Sequence, residues 1–310
     1  MNNWITRALR FGEKIKRVLK KRPTKEDIEN SDWTSCCKGP ILKKDLEENL
    51  WVCPSCDKHH RIGSTNRLDL FFGKNSYKLL EPPSITPDPL NWVDTKSYKD
   101  RIKSAQKKTK QDCALLIATG TVNGIDITVG ALNFDFIGAS IGQDEGEAFL
   151  YGVQYAINNK TPFLIFACGG GQKLYESPIA LSQMTRTTLA VTELKKNNLP
   201  YLVCFVDPCA GGITASFAML GDIHFAEKGA LIGFAGRKVI QATVKEELAQ
   251  DFQSAEFVES HGFVDRVIHR KDLKKEIITL LSILLKKDSE VNSSNINETS
   301  ELSSKTREAS

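Results

Sequence analysis

The decisive stretch runs Tyr201-Leu202-Val203-Cys204-Phe205-Val206, then Asp207-Pro208-Cys209-Ala210-Gly211-Gly212, then Ile213-Thr214-Ala215-Ser216-Phe217-Ala218-Met219-Leu220-Gly221-Asp222. Its opening apolar run reads as a strand buried on both faces. Gly212–Leu220 then reads as a short helix, and Ile223–Ala226 and Ala230–Phe234 as further strands. A strand, a glycine pair, a helix and two more strands argue for an α/β fold with largely parallel pairing. Two strands for some of the helices hint at a ββα superhelix, and periodicity alone leaves a simple βαβ sheet open as well.

Upstream the same grammar repeats. Ala114–Val122 and Ile125–Phe134 read as strands joined by Asn123-Gly124, a strong hairpin signal. Gly146–Asn158 reads as a helix, Pro162–Cys168 as a buried strand and Ser177–Asn198 as a helix. Downstream, a helical stretch from Val239, a strand Val264–His269 and a helix Leu273–Lys287 complete the core. Composition divides the chain into a basic amphipathic arm (1–30), a cysteine-bearing segment (31–65), the core (66–288) and a Ser-, Asn- and Glu-rich tail (289–310) expected to be disordered.

The chain has 310 residues, 41% of them hydrophobic, with a formal charge of +4. That charge is too mild to imply nucleic acid by itself, and no apolar run approaches the ~18 residues of a membrane span. The first 19 residues do not read as a secretory leader. Eight cysteines in so long a chain suggest thiols in a reducing, cytoplasmic setting, or metal, rather than a disulfide framework. Cys53-Pro54-Ser55-Cys56 is a metal knuckle in spacing. Cys36-Cys37 is a poor chelate, because adjacent side chains diverge. One of them, with His59 or His60 as a fourth ligand, could still complete a zinc site; a ribbon held by packing alone is the alternative.

Trp33-Thr34-Ser35-Cys36, Asp45-Leu46-Glu47, Asn49-Leu50, Val52–Cys56, His60-Arg61-Ile62 and Asn66-Arg67-Leu68 carry a family likeness. So do Tyr98-Lys99-Asp100-Arg101, Ala105–Thr109, Gly211-Gly212, Ala215–Asp222 and Ala230–Gly236. In this order they resemble the β subunit of the bacterial- and plastid-type acetyl-CoA carboxylase carboxyltransferase, over roughly residues 30–285. The resemblance implies a crotonase-like (ClpP/crotonase) ββα superhelix with a small N-terminal zinc-ribbon-like domain. It implies carboxyl transfer from carboxybiotin to acetyl-CoA, giving malonyl-CoA for fatty acid synthesis. The implied partners are the α subunit in an α2β2 assembly, the biotin carboxyl carrier protein and biotin carboxylase, with ATP and nucleotide binding in the complex.

The residues also depart from the family pattern. Its first Cys-x-x-Cys is shortened to Cys36-Cys37. Its Ser-Gly-Gly-Ala-Arg-Met-Gln-Glu stands here as Gly169–Glu176, with Lys173 in place of arginine. Its Gly-Gly-Ser-Met-Gly stands as Gly138–Gly142, and Arg237-Lys238 stands where Pro-Arg or Lys-Arg is common.

The chemistry needs donors for an enolate oxygen. Amides opening a helix at Gly211 and Gly212 would supply them, since such amides lack intrahelical partners and glycine keeps the approach clear. The freed biotin ureido group is the base the resemblance implies. Gly170-Gly171 forms a second candidate loop, and Lys173, Arg237 and Lys238 are candidates for coenzyme A phosphates. Both glycine pairs also suit simple turns. Cys36, Cys37, Cys53 and Cys56 form the metal set. Four rival readings remain. Gly138–Gly142 fits a hydrolase elbow around Ser140, with Asp207, Asp222, His261 and His269 downstream. Cys209 could be a thiol nucleophile. The ribbon and arm could bind RNA. A related enzyme could act on a larger acyl group, although such forms usually carry two crotonase units in one chain.

Overall fold

The computed structural model describes residues 33–36, 39–83, 85, 88–245 and 247–286, with backbone alone at 237, 238 and 244. The expected arm at 1–30, Cys37, the tail at 289–310 and the side chains of Arg237 and Lys238 lie outside the described residues. The chain divides into two compact units between His60 and Arg61.

In the smaller unit, strands β1 (Trp33–Cys36) and β2 (Gly39–Leu42) form an antiparallel hairpin. Helix α1 (Lys43–Glu48) follows, with Leu46 fully buried. The chain then turns through Cys53, whose amide donates to Lys58 O at 2.9 Å and whose carbonyl accepts from Asp57 N at 2.8 Å.

The larger unit opens with α2 (Ser64–Phe72), β3 (Tyr77–Leu80) and α3 (Tyr98–Thr109). The Ser97 hydroxyl caps α3 by accepting from Asp100 N. Next come β4 (Leu115–Val122), β5 (Ile125–Leu132), α4 (Gln143–Asn159), β6 (Phe163–Gly169), α5 (Pro178–Lys196) and β7 (Tyr201–Cys209). Then follow β8 (Ile223–Glu227), α6 (Arg237–Val244), α7 (Ala255–Ser260), β9 (Arg266–Ile268) and α8 (Arg270–Leu284). The seven strands β3 to β9 lie side by side in chain order. The β3–β4 and β4–β5 pairs are antiparallel, and every later pair is parallel.

Both faces of the sheet are covered. Gly120 on β4 lies under Phe72 of α2, while Ile117 on the same strand packs against Gly152 of α4. Three residues apart in a strand is an odd separation, so α2 and α4 occupy opposite faces. The core of β6 and β7 is accordingly apolar on both sides, from Phe163 to Ala167 and from Tyr201 to Phe205. Phe149, Phe163, Tyr201 and Phe217 form an aromatic cluster, and the Tyr201 hydroxyl donates to Phe217 O at 3.0 Å.

Beyond the carboxyl ends of the parallel strands the chain adds a second, thinner tier of isolated bridges: Ile141 with Gln172, Cys209 with Ile232, and Leu231 with Ser254. This second strand-like segment in each turn is the ββα superhelix of the crotonase type that the sequence predicts.

Two expectations change. Gly212–Leu220 is not an α-helix: successive turns lead to a single 3-10 turn, Phe217–Met219. The Ser216 hydroxyl donates to Gly212 O at 2.6 Å, the carbonyl its own amide would take in an α-helix, and that amide goes to Ile213 O at 3.3 Å instead. Ala230–Phe234 is not a full strand either, since only Leu231 and Ile232 bridge.

Candidate active site and cysteine cluster

Parallel strands deliver their following loops to one edge, where α/β folds bind ligands. The loops after β6 and β7 meet there. Ala210 N donates to Gly169 O at 2.9 Å. A Cβ built on Gly171 would lie 3.1 Å from Gly212 N, and one on Gly211 would lie 2.8 Å from Gly170 O. Both residues also have positive φ, +117° and +67°. The two glycine loops thus form one site, and only glycine permits the backbones to approach so closely.

The donors differ from those expected. Gly211 N already donates to Phe234 O at 2.9 Å, and Gly170 N to Gly138 O at 3.1 Å. The amides of Gly171 and Gly212, one from each loop, have no acceptor among the described residues, as is also true of the Gln172 and Ile213 amides that follow them. The helix-start argument for Gly211 therefore falls with the helix. Sequence reasoning placed Gly171 in the wall; an amide's orientation leaves no trace in residue type. Gln172 lies against Gly212, and its Oε1 is buried with no hydrogen-bond partner.

Lys173 does not face solvent, as a phosphate contact would need. It is 2% exposed and donates to Glu145 Oε2 at 2.7 Å, with Glu176 Oε1 at 3.6 Å. Burial pulls its pKa down, but the Glu145 and Glu176 carboxylates outweigh burial and hold it above the ordinary lysine value. Sequence reasoning missed Glu145 and Glu176, although Glu176 sits three residues beyond Lys173. Arg237 and Lys238 open α6; their side chains are outside the description.

The rival nucleophiles lose their basis. Cys209 is fully buried, and burial drives its thiol pKa well above the ordinary value. The Ser140 hydroxyl donates to Ile137 O at 2.8 Å, and no histidine partners it among the described residues.

In the smaller unit, Cys36, Cys53 and Cys56 bring their sulfurs within 4.8 Å of one another, with Cys36 and Cys56 3.4 Å apart. Tetrahedral zinc with Zn–S bonds of ~2.3 Å requires sulfurs about 3.8 Å apart, so the group suits the metal. Neither His59 nor His60 belongs to it.

Residues 88–309 match the carboxyl transferase domain family, and the chain belongs to that family. Two curated relatives are more particular. The acetyl-coenzyme A carboxylase carboxyl transferase subunit beta of Pelagibacter ubique is 63% identical over 96% of both chains. That of Chelativorans sp. is 43% identical over 92% of this chain and 91% of its own. Among solved structures, a transcarboxylase 12S core superposes with a TM-score of 0.59 at 17% identity, covering 86% of this chain and 47% of that one. A Pseudomonas malonate decarboxylase hetero-dimer gives 0.54 at 18%, covering 71% and 85%. These two likenesses concern the fold alone. ATP binding by this chain gains no support from these matches. No described helix is long and apolar enough to cross a membrane.

Proposed function

We propose that the chain is the β half of an acetyl-CoA carboxylase carboxyltransferase, moving the carboxyl group of carboxybiotin to the methyl carbon of acetyl-CoA. The observation that carries the mechanism is the adjacent pair of uncommitted amides at Gly171 and Gly212. When the methyl proton leaves, negative charge moves to the thioester oxygen. Two preorganised N–H donors there stabilise that charge more than they stabilise the neutral thioester, by ~3–4 kcal/mol each. The freed biotin ureido group takes the proton. Gly170 shapes the wall of the site, and Arg237 and Lys238 meet the coenzyme A phosphates.

The α subunit completes the site in an α2β2 assembly, and the carrier protein and biotin carboxylase supply the carboxyl group, in the cytoplasm. Supporting this, Leu174 is 80% and Phe234 70% exposed, both adjoining the glycine loops. The chain alone is therefore expected to make almost no malonyl-CoA. Cys36, Cys53 and Cys56, with Cys37 as the fourth candidate, hold one structural zinc in a ribbon spanning 31–65. Replacing both Cys53 and Cys56 by serine should abolish zinc in metal analysis, and unchanged zinc would remove the ribbon as its site.

The decisive test is Gly212→Val. The added side chain meets Gln172 Cγ, 2.8 Å from the Cβ position, and twists the amide away. Turnover should fall by ~100-fold or more while acetyl-CoA affinity changes much less. A folded variant that binds the α subunit and turns over normally refutes the oxyanion assignment.

A further inference from the structure

The Gly169–Gln172 loop is anchored by a buried charge cluster immediately after it. Lys173 is its centre. Its partner Glu145 accepts at Oε1 from Ala114 N at 3.1 Å and at Oε2 from both Gly142 N at 2.9 Å and the lysine ammonium at 2.7 Å. Glu176 accepts at Oε1 from the Tyr98 hydroxyl at 2.7 Å and at Oε2 from Gln143 N at 2.6 Å. Both oxygens of both carboxylates are engaged. Tyr98 stacks on Tyr175, ring centroids 5.1 Å apart, and closes the cluster from α3.

The backbone is tied in the same place. Ile141 N donates to Gly171 O and Lys173 N to Ile141 O, each at 2.9 Å. The segment 171–173 is therefore fixed on both sides of Gln172, and Gly171 abuts Gly212. A buried ammonium costs several kcal/mol unless it is paired, so Lys173 cannot drift from its two carboxylates without paying for desolvation. Any slack in this anchor is transmitted to the Gly171 amide two residues away.

We propose that Lys173 is a positioning residue for carboxyl transfer: paired with Glu145 and Glu176, it holds the Gly171 amide beside that of Gly212 without itself touching substrate. This rests on the reading of those two amides as oxyanion donors. Misplacing a donor by about 1 Å costs up to ~100-fold in rate, so the anchor acts on turnover more than on binding. The related pattern has arginine, a residue of the same charge, at this position.

The test uses the full chain with its α subunit, acetyl-CoA and carboxybiotin as donor. Lys173→Met should lower kcat by ~10-fold or more, with KM for acetyl-CoA within ~3-fold of wild type. Lys173→Arg should recover most of the loss, a rescue that packing alone does not predict. Should Lys173→Met fail to fold, Lys173→Gln, which keeps a neutral donor for Glu145 and leaves the carboxylate bonds to Ala114 N and Gly142 N in place, is used instead, and the same loss of kcat is expected. A folded variant of either kind with kcat within ~2-fold of wild type, or one in which KM rises while kcat holds, overturns the proposal. Normal turnover by Gly212→Val instead overturns the oxyanion reading, independently of Lys173.

Discussion

Among the described residues of the larger unit, two buried ion clusters are near inverses of each other. Under the glycine loops one lysine faces two carboxylates, Glu145 and Glu176. At the other site Glu227 faces two arginines: it accepts from Arg67 Nη1, from Arg270 Nε at 2.7 Å and from Arg270 Nη2 at 2.6 Å. The surplus negative charge of the first cluster is met by backbone amides of Ala114, Gly142 and Gln143. The second joins side chain to side chain, welding α2 and α8 to the end of β8. Its surplus positive charge borders a cavity of about 30 Å³ lined by Arg67, Phe166, Arg270 and Lys274, enough for water. A cluster that spends its bonds on amides fixes the backbone of a site; one that spends them on guanidinium groups fixes the packing of helices.

The largest test of this contrast is Glu227→Gln. It leaves two buried guanidinium groups without their carboxylate and should lower stability by ~3–5 kcal/mol in denaturant unfolding. A loss under ~1 kcal/mol would mean that solvent already screens the triad. Next is Gly142→Ala. A Cβ there collides with the Glu176 carboxylate, so a loss of ~1–3 kcal/mol is expected from overpacking, and an unchanged melting temperature would show the acidic cluster to be loose.

A subtler effect separates the clusters by pH. Asp144 borders the acidic one. Burial first, then Glu145, with Glu176 and Asp112 adding and Lys173 opposing, raises its pKa to about 7 from 3.8. Below about pH 4 folded and unfolded chains both hold this proton. Between about pH 4 and 7 only the folded chain does, so the contribution of this group to stability falls as pH rises through that window and is flat above it. Asp144→Asn should remove that slope in melting curves, and an unaltered slope would assign it elsewhere. The smallest effect belongs to the exposed pair of Lys196 with Glu193, whose side chains are 65% and 53% exposed. Lys196→Ala should cost no more than ~0.5 kcal/mol, and a larger loss would contradict the screening argument.

Sequence reveals these regions unequally. The strands at β4–β5, β6 and β7 were legible because β-branched and apolar runs bounded by Asn123-Gly124, Pro162 and Pro200 leave little choice. Strand β3 was not, because Tyr77–Leu80 is short and half exposed at the sheet edge. Ile213–Leu220 has helical spacing, yet Thr214 and Ser216 turn their hydroxyls onto nearby carbonyls. The two glycine pairs were visible; which of their amides face inward was not, because that depends on Phe234 O and Gly138 O, remote in sequence. Lys173 read as a phosphate contact because most lysines lie at the surface. Its burial depends on Glu145, 28 residues earlier.

The chain-order arrangement of the seven strands bears on how the molecule is made. No strand has to be threaded between two neighbours that have already paired. A chain synthesised from its N-terminus can lay each strand on an edge that exists, beginning with the β4–β5 hairpin, whose contacts are the most local. Each later parallel strand closes a loop about one crossover long, at an entropic cost that grows slowly with loop length. At every stage the newest edge is open, so the nascent protein is most vulnerable to sticking along the side that β8 and β9 finally occupy.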